Sequence, residues 1–245
     1  MRQISRKTAD AIVDRIEAGG RGAAEDAVRI RMVIQAATYD DNDEKAFGGA
    51  PEMNGPPTPL DADSWDSAVE MYDRRYTFVA VGPRTREDWL HDVASIMRGE
   101  TADPRSWRTI DPDEGEEERE DDPAYPFITP PVDEAGSTEW RSWLREIPRS
   151  SVVRLLVLLA TRDLDVARGP RLPERLAEME EHARVILSRC PDRAHFFTNT
   201  WGGGAAFDFY QKISSCSPLS QYSWDLGVLW VSDEEVGLIW SFDPR

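Results

Sequence analysis

The sequence predicts an α+β fold, a mostly helical body with a small antiparallel sheet that includes a C-terminal β-hairpin. Two apolar runs near the C-terminus, Trp224 to Val231 and Val236 to Phe242, alternate in the manner of strands and flank the polar Ser232-Asp233-Glu234-Glu235. Three stretches between residues 138 and 190 carry apolar side chains at helical spacing. Hydrophobic residues make up 40% of the chain and include nine Trp, enough to bury a sizeable core. Both faces of the hairpin are apolar, so we expect both to be covered.

The first forty residues read as two short helices. Apolar residues recur at helical spacing on either side of the Gly19–Gly22 turn, at Ile12 and Ile16 before it and at Ile30 and Ile34 after it. Such a pair is typical of ordinary helical packing. It also leaves open a helix-turn-helix that binds DNA in front of a sensor body.

The next elements are predicted from short local patterns. Residues 65–72 indicate a short helix, and the β-rich run Tyr76 to Val81, which ends at Gly82-Pro83, indicates a strand. Thr85 is the predicted N-cap of a helix that ends at Gly99.

Residues 109–137 are predicted to form an acidic, proline-rich loop or linker between an N-terminal part, 1–108, and a C-terminal part, 138–245, although all three stretches could belong to one domain. Residues 111–122, here called the acidic segment, hold nine acidic residues and one basic residue, Arg119. This balance of −8 is nearly half of the net charge of −17. Eight of its carboxylates are the candidate partner-binding residues: Asp113, Glu114, Glu116, Glu117, Glu118, Glu120, Asp121 and Asp122.

Three helices are expected after the acidic segment. Ser137 or Thr138 is the predicted cap of the first, which stops before Pro148. The second, Val152 to Leu164, is apolar nearly all round and is expected to lie in the core. The third starts at Pro170 or Pro173 and carries one charged face.

The charge and the cysteines constrain partners and location. A net charge of −17 opposes binding to nucleic acid, because affinity for a polyanion depends on neutralising phosphates. No run approaches the roughly 18 to 20 apolar residues that a membrane-spanning helix needs, and the N-terminus lacks an apolar signal core. Cys190 and Cys216 fit free thiols in a reducing compartment better than a disulfide. We therefore expect a cytoplasmic protein that does not associate with membranes.

The chain displays no recognisable catalytic or cofactor-binding motif, and we predict no cofactor. One region, 192–212, could still contain a site. There His195 is a candidate acid, base or ligand, Asp192 and Asp208 are candidate metal ligands, and Lys212 could stabilise developing charge. The glycines at 202–204 could bring backbone N–H groups to an anion, but a tight chain reversal next to Trp201 explains them without a ligand.

Three functions follow from these features. The first is a non-enzymatic acidic interaction module, such as an inhibitor or immunity-type protein, that binds a basic partner protein. The second is a metal-dependent hydrolase or nuclease with its site in 192–212. The third is the DNA-binding N-terminal hairpin with a sensor body. The sequence favours the first.

Overall fold

A computed structural model describes residues 60–73, 75–161, 164, 172–200 and 207–243, which all lie in one compact unit, Pro59–Arg245. The predicted N-terminal helical pair and the glycines at 202–204 lie outside the described residues. The helices are α1 (Ala62–Val69), followed by a 3-10 turn (Glu70–Tyr72), α2 (Trp89–Met97), α3 (Glu116–Asp121), α4 (Glu134–Trp143), α5 (Arg149–Leu159) and α6 (Leu172–Ser188). The strands are β1 (Thr77–Pro83), β2 (Arg145–Ile147), β3 (His195–Thr198), β4 (Asp225–Val231) and β5 (Glu235–Phe242). This content confirms the α+β fold.

The five strands form one antiparallel sheet in the order β1-β5-β4-β3-β2. The predicted hairpin is confirmed, since β4 and β5 pair from Asp225 opposite Phe242 to Val231 opposite Val236. β1 pairs with β5 along its whole length, so strands from the two predicted parts of the chain share one sheet. The boundaries 1–108 and 138–245 stay a prediction.

Helices cover both faces of the sheet, as the apolar hairpin predicts. One face packs against α1, α5 and α6 through Val79, Val228, Trp230 and Ile239. The other packs against α2 and α4 through a second cluster centred on Trp240. Because side chains alternate along a strand, β1, β3, β4 and β5 contribute to both clusters, whereas the short β2 contributes only Ile147, to the first. The sheet is the middle layer of the described unit.

Several predicted helix ends are wrong. Asp88 caps α2 in place of Thr85, and its carboxylate accepts the Leu90 N–H at 3.1 Å. Thr85 instead donates its own N–H and hydroxyl to the buried Asp92. Asp133 caps α4, so that helix begins at Glu134, before the predicted caps Ser137 and Thr138. In each case the aspartate directly before the helix accepts a hydrogen bond from a free N–H group of the first turn.

The second of the three helices predicted after the acidic segment also begins and ends at residues other than those predicted. α5 begins at Arg149 after Pro148 and ends at Leu159, short of the predicted Leu164. Its apolar side chains are buried as expected: Val152, Leu155, Leu156, Val157, Leu158 and Leu159.

A buried ion pair connects the end of α6 to the sheet. The Arg189 guanidinium donates two hydrogen bonds to Asp103, at 2.7 and 2.8 Å, and reaches Glu235 at 3.0 Å. It lies 5.1 Å from the ring centres of both Trp65 and Trp107. Two carboxylates and two aromatic faces therefore compensate a cation that is withdrawn from water. This site joins four distant parts of the sequence.

Candidate acidic interface

The acidic segment contains a short surface helix, where the sequence predicts an extended loop. Helix α3 begins after Gly115, whose φ of +82° is a conformation that favours glycine. A Cβ at Gly115 would lie 2.4 Å from the Tyr125 ring and 2.9 Å from the Tyr76 hydroxyl oxygen. Glycine is therefore required twice at this position, for its backbone angle and for its lack of a side chain.

Arg119 anchors the acidic segment to the body of the protein. Its guanidinium donates to the carbonyl oxygens of Pro112, at 2.5 Å, and Glu114, at 3.3 Å, and it pairs with Asp111 at 2.9 Å. The carbon of the guanidinium lies 5.8 Å from the centre of the Phe78 ring. Its side chain is only 13% exposed, which is low for an arginine surrounded by acidic neighbours. The only basic residue of the segment is thus used within the fold.

The carboxylates of the acidic segment face solvent. All eight predicted partner-binding residues are exposed: Asp113, Glu114, Glu116, Glu117, Glu118, Glu120, Asp121 and Asp122. Within the described part of the chain, none of these eight carboxylates forms an ion pair with a cation. Asp122 accepts a hydrogen bond from the Ala124 N–H. Helix α3 itself contains no buried residue. The acidic segment therefore presents a dense group of exposed carboxylates that no cation among the described residues neutralises.

Aromatic residues hold the chain beneath this surface. The hydroxyl groups of Tyr125 and Tyr222 share a hydrogen bond of 2.9 Å. Burial, that hydrogen bond and the nearby Glu118 carboxylate together raise the pKa of Tyr125 to about 12. Phe127 then packs edge-on against Phe78 and also forms an isolated antiparallel β-bridge with Ser220. The chain leaving the acidic segment is thereby fixed to the second apolar cluster.

A polar cleft of about 570 Å³ adjoins the start of the acidic segment. Its walls are formed by Asp73, Arg75 and Tyr76 and by residues 108–114. Asp73 pairs there with Arg108, at 2.5 Å, and Arg75 lines the cleft together with Asp113 and Glu114. The cleft therefore carries charges of both signs.

The residues predicted for a hydrolytic site are engaged elsewhere. His195 lies at the start of β3, and its Nδ1 is 2.8 Å from the Glu146 carboxylate on the neighbouring β2. Asp208 pairs with Arg154 at 2.9 Å and also accepts the Tyr210 N–H.

Asp192 and Lys212 are exposed side chains. Across the ranges that the structure describes, no three His, Cys, Asp or Glu side chains are grouped so that they could hold a metal ion. The metal-dependent site at 192–212 therefore stays a prediction.

The sequence reasoning missed the role of Arg119. The available signal was a single arginine inside a run of nine acidic residues, since a lone cation among carboxylates is well placed to organise them. Its contacts with Phe78 and with two carbonyl groups could not be read from local sequence.

Comparison of this chain with protein-family models, with curated proteins and with solved structures finds no match. None of the helices in the described ranges is long and apolar enough to cross a membrane.

Proposed function

We propose that this protein is a non-enzymatic binding protein whose acidic segment engages a basic partner protein, in the manner of an inhibitor or immunity-type protein. The observation that carries the proposal is that exposed carboxylates, which no described cation neutralises, lie on a backbone that is fixed by Gly115, Arg119 and Tyr125. Both cysteines are free thiols, which supports the reducing, cytoplasmic location that the sequence predicts.

The charge distribution supports recognition of a cationic surface. Exposed charges are screened over about 8 Å at physiological ionic strength, so a dense patch acts on a partner more strongly than the same charge spread over the protein. Complementary patches of this kind accelerate encounter and exclude partners of the wrong charge. Binding should therefore depend strongly on salt, chiefly through the association rate.

The anchoring of the segment supports affinity as well as encounter. A flexible acidic tail loses conformational entropy when it binds, at a cost of about 1–2 kcal/mol for each residue whose backbone becomes fixed. Gly115 and Arg119 fix the backbone before the partner arrives. A smaller part of the interaction energy is then spent on ordering the chain.

Affinity capture with charge-neutralised variants tests the proposal. The immobilised wild-type protein is compared with the variant Glu116→Gln, Glu117→Gln, Glu118→Gln, Glu120→Gln over a series of salt concentrations. The matched control changes four exposed acidic residues outside the segment by the same charge: Glu139→Gln, Glu174→Gln, Glu178→Gln and Asp192→Asn.

We expect a basic protein that binds the wild type and the control, that elutes as salt is raised, and that the acidic-segment variant fails to retain. Retention by all three proteins alike would show that the acidic segment is not the binding surface. Equal loss in the variant and the control would show that only net charge matters.

A further inference from the structure

The loop that follows the acidic segment carries two exposed apolar side chains, Ile128 and Val132, which are 45% and 78% exposed. Among the residues that the structure describes, these two are the large hydrophobic side chains that remain exposed. A single side chain of this kind is common on a protein surface, but here both lie on one short loop. Their Cα atoms are separated by at most about 14 Å, since only four peptide units join them. Residues 128–132 are called the apolar loop below.

The apolar loop is fixed at both ends. The Ile128 N–H donates to the Leu219 carbonyl at 2.8 Å, and the preceding residue, Phe127, is buried. Near the other end Pro131 is buried, and a Cβ at Gly136 of α4 would lie 3.3 Å from the Pro131 Cα. The two exposed side chains therefore stand next to buried anchors. Side chains that are presented in this way lose little freedom when a partner covers them.

The middle of the apolar loop has a strained backbone. Thr129 has a φ of +41°, a conformation that a β-branched residue rarely adopts. It also precedes Pro130, and a proline favours an extended backbone in the residue before it. Such strain persists only where the surrounding structure imposes it, and it is concentrated at sites that bind or react. The fold thus imposes the conformation that displays Ile128 and Val132.

The apolar loop lies close to the acidic segment. Six peptide units join Asp122 to Ile128, so their Cα atoms are at most about 21 Å apart. The centre of the Phe78 ring lies 5.7 Å from that of Phe127 and 5.8 Å from the guanidinium carbon of Arg119, so it contacts both regions. A stable interface covers about 800 Å² of each protein, which is a surface roughly 30 Å across. One partner of ordinary size therefore covers both regions.

We propose that the basic partner packs apolar side chains against Ile128 and Val132 while its cationic side chains face the carboxylates of residues 111–122. This inference rests on the proposed function and adds the chemistry of the partner, a basic surface with an apolar centre. Exposed charges mainly accelerate association, whereas buried apolar contacts mainly slow dissociation. A second copy of this chain would bring like charge towards the acidic segment, which disfavours self-association through the apolar loop.

The test uses the full protein and two synthetic peptides of equal charge. The first is acetyl-Arg-Lys-Arg-Lys-Gly-Leu-Trp-Leu-amide, here the apolar peptide, and the second has Ser-Ser-Ser in place of Leu-Trp-Leu. Titration calorimetry over a series of salt concentrations compares the wild type with the double variant Ile128→Ser, Val132→Ser. The methyl signals of Ile128 and Val132 in the wild type are followed by proton–carbon NMR. The matched control is Ala135→Ser, at an exposed position of α4.

We expect the wild type and the control to bind the apolar peptide at least about tenfold more tightly than the serine peptide. The apolar peptide should shift the methyl signals of Ile128 and Val132. The double variant should bind both peptides alike, at the affinity that the wild type has for the serine peptide and with the same salt dependence. Because both substituted side chains are exposed, its midpoint of unfolding in urea should equal that of the wild type.

Two outcomes overturn the inference and leave the acidic interface standing. One is equal binding of both peptides to the wild type that is lost in the Glu116, Glu117, Glu118 and Glu120 variant. The other is a preference for the apolar peptide that the double variant keeps, which places the apolar contact elsewhere.

Three further outcomes reach beyond the apolar loop. Unchanged binding of the apolar peptide by the Glu116, Glu117, Glu118 and Glu120 variant contradicts a basic partner and, with it, the proposed function. Failure of both peptides to bind at low salt contradicts the apolar contact and the acidic interface together. A dimer of the wild type in sedimentation that the double variant does not form assigns the apolar loop to a second copy and contradicts the inference.

Discussion

The C-terminal hairpin and the acidic segment are held in place by opposite means. Every residue of β4 is buried, and β5 is buried from Val236 to Phe242. Helix α3 buries none of its residues, and its position depends on Arg119 and on the glycine before it. The hairpin is stabilised by packing on both faces, whereas the acidic segment is stabilised by a few polar contacts at its base.

This difference separates stability from recognition. Burial of apolar side chains contributes about 25 cal/mol for each Å² removed from water, and the hairpin has many such side chains. Exposed carboxylates contribute little to folding, but they are free to meet a partner. Substitutions in the hairpin should therefore alter the free energy of unfolding most, and substitutions of the exposed glutamates should alter it least.

The largest effect is expected from Trp240→Ala. Trp240 is fully buried, and its ring lies so close to Gly227 that a Cβ there would come within 1.9 Å of it. Removal of such a side chain leaves a cavity, and we expect the free energy of unfolding to fall by about 3–5 kcal/mol in urea denaturation. A loss below about 1 kcal/mol would contradict the central position of the hairpin in the core.

Asp225→Asn should have the next largest effect. The buried Asp225 carboxylate accepts hydrogen bonds from the Asn199 side chain, the Leu219 N–H, the N–H and hydroxyl of Ser220, and the Trp240 indole. An asparagine places a donor NH₂ group among these donors, so we expect a loss of about 2–3 kcal/mol. Burial raises the pKa of Asp225 although these hydrogen bonds oppose the shift.

The control for Asp225 is Asp233→Asn, an exposed residue in the turn of the same hairpin. It should change the free energy of unfolding by less than about 0.5 kcal/mol. Equal effects of the two substitutions would show that the buried hydrogen bonds of Asp225 do not stabilise the fold.

Arg119→Gln should have a smaller and more local effect. The substitution removes the ion pair with Asp111 and the hydrogen bonds to two carbonyl groups, which together are worth about 1–2 kcal/mol. It also makes the acidic segment more negative. If fixed geometry matters, the variant binds the basic partner more weakly than the wild type despite its extra negative charge, as measured by titration calorimetry.

The matched control for this experiment is Arg193→Gln, which makes the same charge change at an exposed arginine. Stronger binding by both variants would mean that charge alone governs recognition and that the anchoring by Arg119 is irrelevant to it.

The smallest effect on stability is expected from the variant that replaces Glu116, Glu117, Glu118 and Glu120 with Gln. Loss of favourable charge at the start of a helix and relief of repulsion between like charges offset each other, each at about 0.3–1 kcal/mol. Thermal and urea unfolding should therefore be within about 1 kcal/mol of wild type. A much larger loss would show that these carboxylates hold the fold together.

The two regions also differ in how far the sequence predicts them. The hairpin follows from strict alternation between Trp224 and Phe242, because apolar residues that repeat with period two on both faces are typical of a strand covered on both sides. The sequence also locates the acidic segment and its eight candidate carboxylates. It does not predict α3, since the packing of Gly115 on Tyr125 and of Arg119 on Phe78 joins residues that are distant or have no distinctive local pattern.

The helix caps show the same limit at shorter range. Several residues before α2 and α4 can act as caps, and local sequence does not decide among them. Thr85 is unavailable because Asp92 already binds it, and Asp133 precedes the predicted caps of α4. The buried group around Arg189 is a further example, because its carboxylates come from 86 and 46 residues away.

Hydrogen exchange of the acidic segment tests the central claim most directly, since it requires no partner. In the structure the amides of Arg119, Asp122 and Tyr125 donate to backbone carbonyls, at 3.1, 2.9 and 2.9 Å. We predict that these amides exchange at least roughly tenfold more slowly than in an unstructured chain, and that Arg119→Gln removes this protection while the amides of β4 and β5 keep theirs. Exchange of the wild-type segment at the unstructured rate would contradict a fixed acidic interface.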